Sequence, residues 1–376
     1  MILTNCAACA APLAHNAPRC VRCHTRYCNK TCQHDHWRRG HKQMCKKIHR
    51  GGNAEQYNAD KKYKEAVAVA VEACADDTKG QTCYICTQAL HWKTKEGLVR
   101  GCACRGTSGV AHVSCLAEQV KILVAEAEEN NLDVKVLQAR WDRWHTCSLC
   151  EQEYHGIVRC ALGWACWKTN VGRPETDRLH GTAMNLLGGG LYAARHREDA
   201  LSVQEAELAM RRRIGAAEEI ILAVQSNLAV TYDALGRFET ALQMKRDVHS
   251  GTLKLYGEES IHTLTQASNY AASFIALRRF AEAKPLFRKT IPVARRVLGE
   301  SHENTLKMRL GYAAAIYFDA GATLDDLREA VTTLEELVII ARRVYGGAHP
   351  LTARIEGDLR NARAALRARE TPPRSA

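Results

Sequence analysis

The stretch NLAVTYDALGRFETAL, residues 227–242, decides the fold. Its apolar residues recur at helical spacing up to Leu235, and Gly236 then supplies the turn into a second helix. The pattern returns with a period of 42 residues: NLLGGGLYAARHREDAL from Asn185, NYAASFIALRRFAEAK from Asn269 and GYAAAIYFDAGATLDDLREAV from Gly311. A second series marks the repeat ends, with GAAEE at Gly215, GEES at Gly257 and GESH at Gly299; GGAHP at Gly346 arrives five residues late because the fourth repeat carries the insertion ATLDD. A helix pair cannot bury its apolar face alone, so neighbouring pairs stack into a solenoid. LTARIEGDLRNARAALRARE reads as a polar capping helix and TPPRSA, residues 371–376, as a frayed tail.

Upstream of the repeats the composition changes. The 376 residues exceed one ordinary core and include 17 cysteines, 14 of them at short spacings within residues 1–150. No apolar run reaches the length of a membrane span, and the start lacks a basic segment followed by an apolar one, so no secretory signal is expected. The expectation is an intracellular protein, cytoplasmic or nuclear, whose clustered thiols bind metal. The net charge of +12 is uneven: residues 1–50 hold ten Lys/Arg and one Asp, or +9. That charge could attract an acidic partner or nucleic acid; the plainer account is a small metal module that is mostly surface and whose cations offset thiolate charge. A nucleic-acid role ranks behind both protein-binding readings given below.

The first cluster is Cys6, Cys9, Cys20, Cys23, Cys28, Cys32, His41 and Cys45. Zinc takes four Cys/His ligands, so eight imply two closed structural sites. Cys6/Cys9 and Cys20/Cys23 are C-x2-C knuckles; Cys28/Cys32 and His41/Cys45 are i,i+4 pairs on one face of a helical turn. With Tyr27 and Trp37 in place, CVRCHTRYCNKTCQHDHWRRGHKQMCK resembles a MYND-type zinc finger. The resemblance implies a cross-brace, with Cys6, Cys9, Cys28 and Cys32 on one zinc and Cys20, Cys23, His41 and Cys45 on the other, and implies binding of proline-containing peptides. His24, His34 and His36 read as exposed surface histidines, since only His41 keeps the H-x3-C turn.

The second cluster is Cys83, Cys86, Cys102, Cys104, His112, Cys115, Cys147 and Cys150. Gly101, Gly106 and Gly109 supply flexible backbone around Cys102-x-Cys104. The order and the segment CACRGTSGVAHVSCL resemble the RING-CH (C4HC3) zinc finger; a PHD finger shares the ligand order with a shorter gap to the histidine. The resemblance implies Cys83, Cys86, His112 and Cys115 on one zinc, Cys102, Cys104, Cys147 and Cys150 on the other, and recruitment of a ubiquitin-conjugating enzyme (E2) through Ile85. The family's pattern is not complete here. The gap from Cys115 to Cys147 is long, Gln119 stands near the place of a usual tryptophan, and Glu151 follows the last ligand where a basic residue is common. Trp141 and Trp144 either fill the tryptophan's role or pack the core. Cys74, Cys160 and Cys166 read as packing residues.

The 42-residue period with LGR-x-x-x-A and GE signals resembles kinesin light-chain tetratricopeptide repeats. That resemblance implies a concave peptide groove in which Asn185, Asn227 and Asn269 hold a ligand backbone; the competing reading is that they bond only within the repeat.

The expected architecture is mainly α: a MYND-type finger at 1–50, a helical linker at 51–80, a RING-CH-like finger at 81–168 and a TPR-like solenoid with a capping helix at 169–376. Four zinc ions are expected, two per module, and no catalytic residue is assigned. Two functions follow. One is an adaptor ubiquitin ligase in which the solenoid selects substrate. The other is a non-enzymatic scaffold binding peptides and proteins through the finger and the groove.

Overall fold

The computed structural model describes residues 5–11, 13–14, 16–347 and 349–370; TPPRSA lies outside them. The chain forms two compact units, Met1–Ala216 and Ala217–Ala376. Helices dominate both. Three isolated antiparallel bridges join Arg19 with Arg26, Val99 with Ala111 and Thr146 with Glu153.

The first unit opens with the cysteine-rich loops and two short helices. Helix α1 (Lys30–His36) starts where the Asn29 side chain accepts from the Cys32 amide at 2.8 Å. It passes through a widened turn, Trp37–His41, that breaks at Gly40 (φ 127°) and leads into α2 (Lys42–Arg50). Helix α3 (Ala54–Ala73) is capped by Asn53 and buries Ala59, Tyr63, Val67 and Ala70 along one stripe. The segment expected as a linker is thus a packed strut. Its Asp60 pairs with Lys168 at 3.2 Å, the same ammonium lies 4.5 Å from the Tyr63 ring, and the Tyr63 hydroxyl meets that of Ser114 at 3.0 Å.

Helices α4 (Val113–Glu129) and α5 (Val134–Trp141) fill the long interval between Cys115 and Cys147. Next, α6 (Gly156–Asn170) runs through the middle of the unit and buries every residue from Cys160 to Trp167, as a helix apolar on all sides must. It packs on α7 (Arg178–Ala193), which pairs with α8 (Arg197–Arg213). Glycines set the α6–α7 distance. A Cβ on Gly163 would lie 3.1 Å from the Leu186 carbonyl oxygen, and one on Gly190 would lie 2.9 Å from that of Arg159. Cys160 and Cys166 are core residues here, and Cys74 is buried with its thiol 3.6 Å from the Arg100 carbonyl.

The second unit stacks α9 (Glu218–Ala234) on α10 (Phe238–Tyr256), α11 (Ile261–Ala276) on α12 (Phe280–Leu298) and α13 (Glu303–Tyr317) on α14 (Leu324–Tyr345), closed by α15 (Pro350–Glu370). Gly257 and Gly299 end α10 and α12 at φ 76° and 89° with ψ near extended, a conformation essentially reserved for glycine, so the repeat-end glycines are a backbone requirement. Between paired helices the chain also turns left-handed, at Gly236 (φ 75°) and, without glycine, at Arg278 (φ 58°); Arg195 (φ 66°) does the same between α7 and α8 of the first unit. Gly311 interrupts the asparagine series for a steric reason: a Cβ there would lie 2.6 Å from the buried Phe287 ring.

Candidate metal centres

Four C-x2-C knuckles share one local geometry. In each, the amide of the first cysteine donates to the carbonyl five residues on, as Cys6 to Ala11, Cys20 to Thr25, Cys83 to Gln88 and Cys147 to Gln152, at 2.8–3.0 Å. The residue after the second cysteine is left-handed every time: Ala10, His24, Thr87 and Glu151, φ 58–61°. Glu151, which stands where RING-type fingers often place a base, is the turn residue of the last knuckle. A fifth turn copies the form without cysteine. The His91 amide donates to the Glu96 carbonyl at 3.0 Å, the Thr94 amide donates to His91 Nδ1 at 3.1 Å, and Lys95 has φ 58°. That turn holds Trp92 out at 68% exposure, a feature with no signal at the level of ligand spacing.

The folds of these loops bring sixteen side chains into four sets: Cys6, Cys9, Cys28 and Cys32; Cys20, Cys23, His41 and Cys45; Cys83, Cys86, His112 and Cys115; Cys102, Cys104, Cys147 and Cys150. Within each set the ligand atoms lie within 4.8 Å of one another. The cysteines are free thiols. A tetrahedral ion with sulfur at about 2.3 Å requires sulfur–sulfur edges of about 3.8 Å. The observed Cys9–Cys28, Cys20–Cys45, Cys32–Cys9 and Cys104–Cys147 edges are 3.4, 3.7, 3.8 and 3.9 Å. The donor sets therefore fit a divalent, thiolate-seeking ion, which would act as a closed structural centre.

The histidines are oriented for the same purpose. His112 presents Nδ1 to Cys86 and Cys115 at 3.4 and 3.6 Å, while its Nε2–H donates to the Ala89 carbonyl at 3.4 Å, which fixes the tautomer. His41 presents Nε2, 3.3 Å from the Cys23 sulfur. His24 and His34 are exposed, but His36 is not the surface residue expected. It is half-buried, its Nδ1 lies 3.0 Å from the Tyr27 hydroxyl, and its ring stacks on His41 at 4.9 Å, bracing that ligand. Burial pushes the Cys6 thiol up, yet the backbone N–H groups of Cys9, Cys28 and Ala8 outweigh it and bring it down to about 6. Hydrogen bonds to Cys9 and Cys6 push Cys28 up to about 12.

Two of the three glycines around Cys102 and Cys104 serve close packing. A Cβ on Gly109 (φ 73°) would lie 2.9 Å from both cysteine sulfurs, and one on Gly101 would lie 2.5 Å from Val158, whereas Gly106 faces open space. Ile85 is 37% exposed inside the Cys83–Cys86 knuckle, and Leu149 is 52% exposed inside the Cys147–Cys150 knuckle. The Tyr84 and Ser148 hydroxyls meet at 3.2 Å, so the two knuckles lie side by side. Leu149 is the residue that ligand spacing alone did not single out. Trp141 and Trp144 are 2% exposed and pack edge to face at 6.4 Å, which settles their role as core. Asn185 and Asn269 are half-buried, donating at 3.4 Å to Glu207 and Gln266, while Asn227 is exposed.

Comparison with known proteins agrees on two of the three modules. The MYND finger model matches residues 6–45, and the tetratricopeptide repeat model matches residues 221–262 and 263–304. No curated protein matches the sequence. Among solved structures, the chain is similar to the kinesin-light-chain-type, nearly identical TPR-like repeats of a Podosopora anserina protein: 21% identity over 50% of this chain and 87% of that one, TM-score 0.43. It is also similar to BtubC (BKLC) from P. vanneervenii, with 17% identity over 70% and 96% of the two chains, TM-score 0.41. The chain thus combines a MYND finger, a second metal-binding cysteine cluster and TPR repeats, the parts of a protein-interaction scaffold. No described helix is long and apolar enough to cross a membrane.

Proposed function

We propose that the four centres hold zinc, one ion per set, and that the chain is a protein-binding adaptor. The MYND finger takes a peptide beside the exposed Trp37, and the repeats of the second unit take another along the helix faces that carry Asn227 and Asn269, with Asn185 the equivalent position on α7 of the first unit. The observation that carries this reading is the pairing of a MYND finger with TPR repeats in one chain. Metal analysis of the purified protein tests the first part: about four zinc per chain are expected, and two or fewer would remove one module's assignment.

A second reading makes the adaptor a ubiquitin ligase, with residues 81–168 as a RING-CH-like module. What favours it is the neighbouring exposed pair Ile85 and Leu149 on two knuckles tied by Tyr84 and Ser148. Such a pair suits an apolar contact with an E2, and Trp92 adds a third exposed apolar group on the same module. The decisive assay is ubiquitin-chain formation across a panel of E2 enzymes. The ligase reading expects activity in the wild type, lost in Ile85→Ala and Leu149→Ala at unchanged zinc content. No chains from the zinc-loaded wild type would leave the scaffold alone.

A further inference from the structure

The basic charge of the first fifty residues is more local than its total suggests. Helix α2 buries His41's neighbour Cys45 together with Ile48 and turns Lys42, Lys46, Lys47 and Arg50 outward, all exposed. Lys42, Lys46 and Arg50 succeed one another at i,i+4, where like charges repel and weaken a helix. No acidic residue stands between Asp35 and Glu55. None of these four cations makes an ion pair among the described residues. Internal metal does not account for them. A divalent ion in a four-thiolate set leaves about −2 and in a three-thiolate set about −1, so the two centres offset a third of the +9 carried by residues 1–50. Most of the excess is free to act outward.

We propose that the outer face of α2 docks a strongly acidic segment of a partner protein. Charge complementarity names the chemistry, and size narrows it. The stripe is about 14 Å long and does not continue along the chain beyond Arg50, because residues 51–82 are net −2, with six acidic and four basic residues. A nucleic-acid backbone is gripped along an extended basic surface; a short run of carboxylates needs only this helix. Met44, exposed at the edge of the stripe, offers an apolar contact that an acidic peptide with interspersed leucines would use. The inference is independent of whether the second module recruits an E2.

The test uses the full zinc-loaded chain and a fluorescein-labelled peptide of about fifteen residues, half of them Glu with two Leu, against the same peptide with Gln for Glu. Anisotropy should show the acidic peptide binding at least about ten-fold tighter, the advantage shrinking between about 50 and 200 mM NaCl. Lys42→Gln/Lys46→Gln/Arg50→Gln should remove it at unchanged zinc content. Arg212→Gln/Arg343→Gln/Arg360→Gln, which deletes equal charge from other exposed positions, should retain it. Equal loss in both triple variants, equal binding of the Gln peptide, or tighter binding of an oligothymidylate through the same three residues would each overturn the proposal.

Discussion

The MYND finger and the second cysteine-rich module each assemble eight ligands into two interleaved sets, and they are supported by very different amounts of protein. Around the MYND sites the buried cluster is Cys6, Cys20, Cys23, Tyr27, Cys45, Ile48 and Ala54. Four of those seven are the ligands themselves, so without metal almost nothing apolar remains to hold the loops. In the second module Cys83, Cys102, Cys115 and Cys147 sit in a core that also contains Trp141, Trp144, Leu162, Trp164, Trp167 and Leu187 and runs on to Met210. There, ions would fasten loops onto a framework that already has a hydrophobic reason to fold. One kind of ligand set can therefore serve either as the core or as a clasp.

Metal removal is the largest perturbation. Structural zinc in small modules contributes about 10–16 kcal/mol of apparent binding energy that is also folding energy, far beyond what the MYND cluster buries. Chelation, or Cys23→Ser, should abolish amide-exchange protection across residues 16–50 while α6, α7 and α8 stay protected. Cys147→Ser should loosen the loops at 83–112 and 145–155 and spare the same helices. Hydrogen–deuterium exchange read by mass spectrometry separates the two patterns. If α6–α8 lose protection whenever either module loses metal, the distinction between core and clasp is wrong.

The same contrast explains what the sequence made legible. Ligand residues and their local pairs were readable because metal coordination imposes short, fixed spacings, their grouping into sets came only from the family resemblances, and the solenoid was readable because its 42-residue period repeats a helical apolar pattern. That α3 is a helix with a buried Ala/Val face was readable, but not its partners, since helical spacing says that a face is buried without saying against what. Trp141 and Trp144 stayed ambiguous because a tryptophan suits both a docking face and a core, and only the fold buries them. The half-burial of His36 has no signal in ligand spacing, because its bond reaches back to Tyr27 and its stack on His41 crosses a turn that breaks at Gly40. Gly101 and Gly109 were assigned to flexibility when the need is contact with Val158 and with the Cys102 and Cys104 sulfurs.

Those glycines supply the next test. Gly109→Ala combines a left-handed backbone with a collision against two ligand cysteines and should cost about 2–4 kcal/mol, with one zinc lost per chain. Gly106→Ala shares the positive φ (63°) but meets open space, and should cost only about 1–2 kcal/mol with full zinc content. Equal metal loss in both would mean that backbone strain, and not the fit around the sulfurs, governs the site.

The framework beneath the clasp can be weakened without touching metal. Glu207 on α8 is 1% exposed, with Arg211 at 3.6 Å and Asn185 donating at 3.4 Å. Burial raises its carboxyl to about 7 despite the Arg211 charge. The native state therefore keeps a proton that the unfolded chain, near 4.5, has already released. Stability from this group is fully present below about 4.5 and is lost as pH rises to about 7, an effect on the order of 3 kcal/mol. Glu207→Gln should flatten that slope in denaturant melts of the first unit between these pH values. A slope unchanged by the substitution would place the titration elsewhere.

The smallest effect lies in the inter-helix turns, where both units solve one problem with different residues. Gly236 enters the left-handed region without steric penalty, whereas Arg195 and Arg278 hold φ 66° and 58° against contact between Cβ and backbone. Glycine removes that strain but adds freedom to the unfolded chain, so the two terms partly cancel. Arg195→Gly and Arg278→Gly should each stabilise their unit by about 0.5–1 kcal/mol, seen as a higher denaturation midpoint at constant m-value. Arg278 has the sharper outcome, because the neighbouring Arg279 already makes the Glu282 pair at 2.6 Å and the contact with the Phe274 ring, neither of which the substitution removes. A lower midpoint for Arg278→Gly would mean that its side chain contributes more to the turn than the strained backbone costs.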